Sequence, residues 1–170
     1  MKKWYAAIIL VSLAIDRLSK QWAQKVLALE PQGTRALWQD VFHLTYVENG
    51  GAAFGLLQGQ RILFFVVTVA LTLFLVWVLF VRKPGGKGVG VGMAMVLGGA
   101  WGNFYDRMIY GYVVDLFDFR LIQFPVFNVA DIMICAGVGV WILFYLLEDV
   151  QRSRVQKAQQ DAAGAQDEAK

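Results

Sequence analysis

Asp115 and Asp131 are the two residues of this sequence whose type and position are best suited to chemistry. Each acid stands beside a long apolar segment, where an ionisable side chain is costly to keep and therefore indicates a function. Two carboxyl groups that face each other in a partly dry site cannot both ionise easily, so one keeps a proton near neutral pH. Such a pair can activate water with one member and protonate a leaving amine with the other. The two acids therefore predict the chemistry of an aspartic peptidase.

Polar residues near the two acids repeat at helical spacing. Asn103, Asp106 and Arg107 stand at positions i, i+3 and i+4, so they share one helix face. Arg107 offers fixed donors to carbonyl or carboxylate groups, and Asn103 can both donate and accept. Asn128 and Asp131 share a face in the same way, but Asn-x-x-Asp at a helix start is also typical of helix capping. Spacing alone leaves a capping role and a site role equally open.

The composition indicates a small integral membrane protein. The chain has 170 residues, of which 58% are hydrophobic and 17% charged, and its mean hydropathy of +0.50 is too high for an ordinary soluble domain. The net charge is +3, but the basic residues flank apolar segments, a pattern that sets membrane orientation and argues against nucleic-acid binding. One histidine, His43, and one cysteine, Cys135, are too few soft ligands for a structural zinc site. The sequence predicts neither a metal nor another cofactor.

The apolar segments predict four transmembrane helices in a single domain over 1–149. The clearest is the charge-free stretch Ile62–Val81, which has about the 20 residues that span a bilayer. With four spans, the basic residues fall mainly on one side, which predicts that both termini are cytoplasmic. The predicted transmembrane helices are 4–29, 61–81, 89–108 and 128–147. The predicted extracytoplasmic segments are 30–60, with a small pair of strands, and 109–127. The tail, 150–170, is polar and either helical or disordered.

A charged pair interrupts the first apolar helix. Asp16 and Lys20 are four residues apart with the acid first, which places them on one helix face. Because charges inside membranes usually pair, the favoured interpretation is an ion pair that holds helices together rather than a direct chemical role. Ser19 points about 100° away from Lys20 on the helix, and Ser12 is too distant for a hydrogen bond. The first helix therefore gives little support to a Ser–Lys dyad.

Five sequence blocks carry a resemblance to a known family. They are D-R-L-S-K at Asp16–Lys20, N-G-G-A-A-F at Asn49–Phe54, G-G-A-W-G-N-F-Y-D-R at Gly98–Arg107, V-V-D at Val113–Asp115 and F-N-V-A-D at Phe127–Asp131. In these blocks and their order the chain resembles the bacterial lipoprotein signal peptidases, the type II signal peptidases of the inner membrane. The resemblance extends over nearly all of the chain up to about Leu147.

The resemblance implies an aspartic endopeptidase with four transmembrane helices in the inner membrane and its active site at the extracytoplasmic face. A small extracytoplasmic β-sheet cradle would lie between the first two helices. Its substrate would be a prolipoprotein that carries diacylglycerol on its lipobox cysteine and is cut just before that cysteine. The enzyme would contact membrane lipids, be inhibited by globomycin-type peptides and act as a monomer. Asp115 and Asp131 would form the catalytic dyad. The residues implied to bind substrate are Asn49, Gly99, Asn103, Arg107 and Asn128. The residues implied to support the site are Asp16, Lys20 and Asp106.

Two other functions stay open from the residues alone. A small proton-coupled transporter would relay protons through Asp16, Asp106 and Asp131, which predicts carboxylates spread through the depth of the bilayer. A non-enzymatic assembly factor would use its polar residues only to hold helices together, and it predicts that Asp115→Asn costs stability as much as activity. Neither function explains why an acid that follows the third helix is matched by an acid that opens the fourth.

Overall fold

The computed structural model describes residues 2–52, 54, 56–122 and 124–168. Within these residues the chain forms four long α-helices and a small antiparallel sheet, so the four predicted helices are all present. The helices are α1 (Lys2–Lys25), α2 (Arg61–Val76), α3 (Lys87–Ile109) and α4 (Val129–Glu168). The strands are β1 (Thr34–Trp38), β2 (Phe42–Asn49) and β3 (Val113–Phe119). Short 3-10 turns at Leu27–Leu29 and Pro31–Gly33 join α1 to β1, and α2 continues as a π-helical segment, Trp77–Arg82.

α3 lies at the centre of the helices, where it contacts α1, α2 and α4. It is rich in glycine, which lets neighbouring helix backbones approach closely, as in membrane helix pairs. A Cβ atom at Gly92 would lie only 2.5 Å from the carbonyl oxygen of Gly137 and from the amide nitrogen of Trp141, both on α4. An apolar cluster joins α3 to α1 and α2, and its members include Tyr5, Leu75, Leu79, Val89 and Met93. The other helices are therefore positioned against α3.

Hydropathy separates the helices into two pairs. Among the described residues, two helices are long and apolar enough to cross a membrane: Arg61–Arg82, which is α2 with its π-helical end, and Val129–Lys157 of α4. α1 carries Asp16, Arg17 and Lys20 in its second half, and the glycines of α3 lower its hydropathy. Composition therefore marks α2 and α4 as candidate membrane spans. For α1 and α3, the ability to cross a membrane depends on whether their polar groups are buried inside the protein.

The sheet draws its strands from two distant parts of the chain. In the described residues it has three antiparallel strands in the order β1-β2-β3. The sequence predicts a sheet between the first two helices only, and the structure corrects this, because β3 comes from the segment between α3 and α4. The pairing of β2 with β3 sets Val47 opposite Asp115 and Asn49 opposite Val113. Strand pairing of this kind depends on a partner remote in sequence, which local patterns do not show.

The helix ends differ from the predicted bounds in two places. α1 ends at Lys25 rather than at residue 29, because the chain tightens into the 3-10 turn at Leu27–Leu29. α4 continues beyond the predicted residue 147 as far as Glu168, so the described part of the polar tail is helical. That tail is rich in alanine and glutamine, which are good helix formers.

A second apolar cluster connects β3 to the end of α1. Val114 and Leu116 of β3 are buried against Ala23 and Leu27. Because side chains alternate along a strand, Asp115 between them points to the other face of the sheet. This cluster therefore fixes the strand that carries Asp115 and turns its carboxylate away from α1.

Candidate active site

A cavity of about 330 Å³ lies where β2, β3, α3 and α4 meet. Its polar lining is formed by Asn49, Asn103, Arg107, Asp115 and Asp131. A second cavity of about 450 Å³ shares Asn49 and Asp115 with it, so the two form one continuous cleft. The structure thus brings both predicted dyad residues, and three of the five residues predicted to bind substrate, to the same place.

Asp115 is almost fully buried, and amide groups hold both of its carboxylate oxygens. The Asn128 side chain donates to Oδ1 at 2.6 Å, and the Asn49 side chain donates to Oδ2 at 3.0 Å. The pKa of Asp115 is raised to about 6, first by burial and also by the negative charge of Asp131, while the hydrogen bond from Asn49 acts to lower it. Asp115 can therefore gain or lose a proton near neutral pH.

Asp131 stands in the first turn of α4 and is held from two sides. Its Oδ2 accepts from the backbone N–H of Asn128 at 3.1 Å, and its own N–H donates to Oδ1 of Asn128 at 3.0 Å. This reciprocal pair is the capping arrangement that the Asn-x-x-Asp spacing suggests. The other oxygen of Asp131, Oδ1, accepts from the Asn103 side chain at 2.7 Å. Asn128 and Asp131 therefore cap the start of α4 and also belong to the candidate site.

Two asparagine side chains connect the aspartates. Asn128 donates through Nδ2 both to Asp115 and to Oδ1 of Asn103 at 3.1 Å, and Asn103 donates in turn to Asp131. Asn128 is fully buried and does not line the cavity, so its place in the structure is between the carboxylates. Amide groups that donate and accept at once can transmit a fixed geometry from one carboxylate to the other.

A buried lysine lies behind this connection. The Lys20 ammonium is 2.9 Å from Oδ1 of Asn103, 2.9 Å from Oδ2 of Asp16 and 2.9 Å from Oδ2 of Asp106. The side chains of Asp16, Lys20 and Asp106 are all completely inaccessible to solvent. Arg17 adds a further ion pair to Asp106. The ion pair predicted from the spacing of Asp16 and Lys20 is present, and it is part of a larger network.

The two acids of this network each hold the backbone beside one aspartate of the cleft. Oδ1 of Asp16 accepts from the N–H of Ala130 at 2.9 Å, and Ala130 precedes Asp131. Oδ2 of Asp106 accepts from the N–H of Val114 at 3.2 Å, and Val114 precedes Asp115. Hydrogen bonds to a charged group are stronger than neutral ones, especially when buried. The network therefore fixes the main chain from which both carboxylates project.

Arg107 and Asn49 meet at the loop that follows β2. Arg107 donates to the carbonyl oxygen of Gly51 at 2.8 Å, and the Gly51 N–H donates to Oδ1 of Asn49 at 2.9 Å. The Arg107 guanidinium also lies over the Phe64 ring, 4.1 Å from its centroid. Its Nε is buried and has no hydrogen-bond partner among the described residues. Arg107 also lines the cleft, and its Nη1 makes only a 3.5 Å contact with the carbonyl oxygen of Asn103, so the guanidinium has donor capacity for a ligand.

Gly99 is predicted to bind substrate, but its position in the structure indicates a packing role. It is buried between α3 and α4 and does not line the cleft. A Cβ atom there would lie 2.4 Å from the carbonyl oxygen of Ala130. Because a side chain at this point would push on the backbone next to Asp131, the absence of one allows α4 to start where it does.

Sequence reasoning missed the apolar lining of the cleft. Phe54, Cys135 and the segment 124–127, with Phe124 and Phe127, complete the wall. Cys135 lies one helical turn after Asp131, a spacing that could have placed it on the same face. The aromatic residues lie in a 3-10 turn (Phe54), a loop (Phe124) and an isolated β-bridge (Phe127), where no periodic pattern indicates which way a side chain points.

Comparisons with known proteins identify the family of this chain. The family described as signal peptidase (SPase) II matches residues 8–147 of the chain. A lipoprotein signal peptidase of Clostridioides difficile (strain 630) is 41% identical over 150 residues, which cover 88% of this chain and 99% of that protein. A lipoprotein signal peptidase of Caldanaerobacter subterraneus subsp. tengcongensis is 44% identical over 144 residues, which cover 83% of this chain and 94% of that protein.

Solved structures give the same answer for the fold. A bacterial membrane enzyme determined by the in meso method at 2.3 Å resolution superposes with a TM-score of 0.78 at 27% identity, and the match covers 88% of this chain and 91% of that chain. A second one, at 1.9 Å resolution, gives a TM-score of 0.75 at 28% identity over 86% and 94% of the two chains. Fold and sequence together define a membrane peptidase. The chain belongs to the signal peptidase II family.

Proposed function

We propose that the chain is a membrane-embedded aspartic endopeptidase that removes the signal peptide from diacylglyceryl-modified prolipoproteins, with Asp115 and Asp131 as its catalytic dyad. The observation that carries this proposal is the connection of the two carboxylates through Asn128 and Asn103 at one cleft. Family membership supports the substrate class. Cleavage falls just before the lipidated cysteine.

The dyad divides the proton transfers of peptide hydrolysis between its members. Asp115 is the more buried of the two and its pKa is raised to about 6, so we assign the shared proton to Asp115, which delivers it to the carbonyl oxygen of the substrate. Asp131 accepts a proton from the water that attacks the scissile carbonyl. After the tetrahedral intermediate forms, Asp131 gives its proton to the leaving amine as the peptide bond breaks, and Asp115 takes a proton back from a hydroxyl of the intermediate. The fixed amides of Asn49, Asn103 and Asn128 keep both carboxylates in place throughout, so little reorganisation is needed.

Arg107 and the loop after β2 position the substrate. The guanidinium of Arg107 lines the cleft and can donate through its Nη1 to a carbonyl oxygen of the peptide. The phenylalanines of the lining, Phe54 and Phe124, are largely exposed and offer apolar surface beside the acids. A substrate that carries both a peptide and acyl chains needs polar and apolar surfaces side by side.

All four helices cross the inner membrane in this proposal, with both termini in the cytoplasm and the cleft at the extracytoplasmic face. The charges of α1 that would oppose insertion are buried with partners around Lys20, which lowers their cost. Tyr5 near the start of α1 and the turn between α2 and α3 line one small cavity, so these ends lie together. The basic residues of that end follow the positive-inside rule. The enzyme acts as a monomer among membrane lipids and is inhibited by globomycin-type peptides.

The test uses the purified full-length protein in lipid or detergent with a diacylglyceryl-modified prolipoprotein as substrate. We expect Asp115→Asn and Asp131→Asn each to lower kcat by about 1,000-fold or more, since each removes a proton-transfer group. Matched controls are Asp118→Asn, on the opposite face of β3, and Asp149→Asn, far along α4. Both controls should cut at about the wild-type rate.

Thermal unfolding of the same samples separates catalysis from folding. The dyad variants should unfold within a few degrees of the wild type while failing to cut. Cleavage by folded dyad variants at the wild-type rate would show that another residue is the catalyst. A folded wild type that cuts no modified prolipoprotein would contradict the proposed function and favour transport, which is measured as proton movement into liposomes.

A further inference from the structure

A groove of about 380 Å³ opens at the end of the molecule opposite the cleft. Its walls are the end of α2 and the middle of α4, and its floor is the start of α3. α3 begins here at Lys87 and reaches the cleft at Asn103, which at 1.5 Å per residue is a distance of roughly 24 Å. None of the residues that line the groove belongs to the cleft.

The groove has an apolar part and a charged part. Two tryptophans, Trp77 and Trp141, lie in the apolar part with Met93. The charged part carries Arg82, Lys83 and Arg152. Tryptophan is enriched where a protein meets the boundary between lipid and water, and basic side chains are enriched on the cytoplasmic side. This combination suits a molecule that has both a charged head and an apolar body.

The basic side chains of the groove form few interactions with other residues of the protein. Arg152 is 68% exposed and lies 3.9 Å from Glu148, at the limit of an ion pair. Arg82 lies 5.7 Å above the ring of Trp77, and neither Arg82 nor Lys83 forms an ion pair in the described part of the chain. These guanidinium and ammonium groups are therefore available to a ligand.

The acid nearest to them, Glu148, also approaches the start of α3. The Glu148 carboxylate lies beside Gly86, just before α3, where a Cβ atom would be 1.6 Å from Oε1, and its Oε2 faces Arg152. Carboxylates are favoured at a helix start because of the helix dipole. Glu148 and Asp149 are the acids among the described residues that line the groove, against the three cations Arg82, Lys83 and Arg152, so a net positive charge remains. The charge of the groove is therefore complementary to an anion.

The backbone of this region departs from ordinary helix geometry. α2 ends in the π-helical segment Trp77–Arg82, a geometry that is rare and frequent at functional sites. Lys83 follows with a φ of +70°, which is costly for a residue with a side chain. The unusual winding sets Arg82 and Lys83 at the mouth of the groove.

We propose that this groove binds an anionic membrane phospholipid. The phosphate lies between Arg82, Lys83 and Arg152, and the glycerol backbone with the first part of an acyl chain lies against the two tryptophans. α2 and α4 are largely exposed in the structure, so the groove opens toward the surface that would face lipid. Basic pockets between helices on the cytoplasmic side bind anionic lipid headgroups in other membrane proteins. The site is separate from the proposed peptidase reaction.

The experiment titrates full-length protein in neutral detergent with dioleoyl phosphatidylglycerol and counts bound lipid by native mass spectrometry. The groove variant carries Arg82→Gln, Lys83→Gln and Arg152→Gln. Its matched control carries Lys3→Gln, Arg154→Gln and Lys157→Gln, which remove the same charge near the same end but outside the groove. We expect the groove variant to raise the Kd about tenfold or more and the control to change it less than about twofold.

Several outcomes would overturn the proposal. Equal weakening in both variants would show attraction by overall charge, and an unchanged Kd in the groove variant would show that the lipid binds elsewhere. Displacement of the lipid by glycerol phosphate at similar concentration would identify a free phosphate ligand instead. Equal affinity for dioleoyl phosphatidylcholine would show that the negative charge is not recognised. Prolipoprotein cleavage by both variants checks their folding, and the single pair Arg152→Glu and Arg154→Glu repeats the comparison if a triple variant fails to fold.

Discussion

The two ends of α3 both carry polar and charged groups, but they use them in opposite ways. At the cleft end, Asn103 and Asp106 are buried and hydrogen-bonded to Lys20 and to the backbone of β3. At the other end, Glu148 and Arg152 beside the start of α3 are 24% and 68% exposed, and 3.9 Å separates them. One end is a closed network, whereas the other is open to solvent.

This difference shows how burial decides what a polar group can do. Hydrogen bonds and ion pairs are stronger where water is excluded, and breaking one leaves a partner with no alternative. The buried end is therefore suited to holding two carboxylates in one geometry for a reaction. Exposed charges are screened and easily rearranged. The open end is suited to contact with a changing environment such as a lipid surface.

Replacement of Lys20 should have the largest effect on this comparison. Lys20→Met leaves Asp16 buried without its cation and leaves Asp106 with Arg17 alone, and the loss of one partner of a buried ion pair costs about 3–5 kcal/mol. Because the same acids hold the backbone before Asp115 and Asp131, peptidase activity should be lost as well. Denaturant or thermal unfolding in detergent, together with prolipoprotein cleavage, measures both effects.

The matched control is Lys25→Met, the same substitution at an exposed lysine later in α1. It should change the free energy of unfolding by well under 1 kcal/mol and leave cleavage near the wild-type rate. If Lys20→Met were equally harmless, the network would not be what fixes the two aspartates, and the contrast between the ends of α3 would lose its physical basis.

The sequence predicted those parts of the network that lie within one element. Asp16 and Lys20 are four apart on one helix, and Asn128 and Asp131 are three apart at a helix start, so spacing alone places each pair. Lys20 and Asp106 belong to different helices, and only the packing of α1 on α3 brings them together. The same network holds the amides of Val114 and Ala130, which no sequence pattern indicates.

The sheet shows the same limit. The sequence predicted a pair of strands in the first extracytoplasmic segment, but Asn49 reaches Asp115 only because β3 pairs with β2 from a distant part of the chain. Gly99 shows the converse case: its sequence block suggested a site residue, and the structure places it at the contact between α3 and α4. A sequence motif contains residues that allow the backbone to pack as well as residues that contact a ligand. The spacing of the motif does not show which residue has which role.

A smaller effect is expected from Asn49, which stands at the rim of the network. Its hydrogen bond to Asp115 stabilises the ionised carboxylate, so Asn49→Ala should raise the pKa of Asp115 above its present value of about 6. If Asp115 holds the shared proton, the alkaline limb of the pH profile of kcat/KM reports its loss and should move to higher pH. The rate at the optimum should fall about tenfold, because one positioning hydrogen bond is lost.

The pH profile of prolipoprotein cleavage from about pH 5 to 9 makes this measurement. Gln39→Ala, an exposed change in the turn between β1 and β2, is the control and should leave the profile in place. A shift of the alkaline limb to lower pH, or no shift with the rate still reduced, would mean that the limb reports a group other than Asp115. The proton would then have to be reassigned within the dyad.

The smallest effect is expected at the open end of α3. Glu148→Gln removes a charge whose partner, Arg152, is mostly exposed and 3.9 Å away, so it should change the free energy of unfolding by about 1 kcal/mol or less. Asp106→Asn makes the same change from carboxylate to amide at the buried end, where Lys20, Arg17 and a backbone amide all contact the acid. Thermal unfolding of the two variants in one detergent compares them directly. Should Glu148→Gln destabilise as much as Asp106→Asn, the contact of Glu148 with the start of α3 would be a structural anchor of similar weight, and solvent exposure would no longer distinguish the two ends.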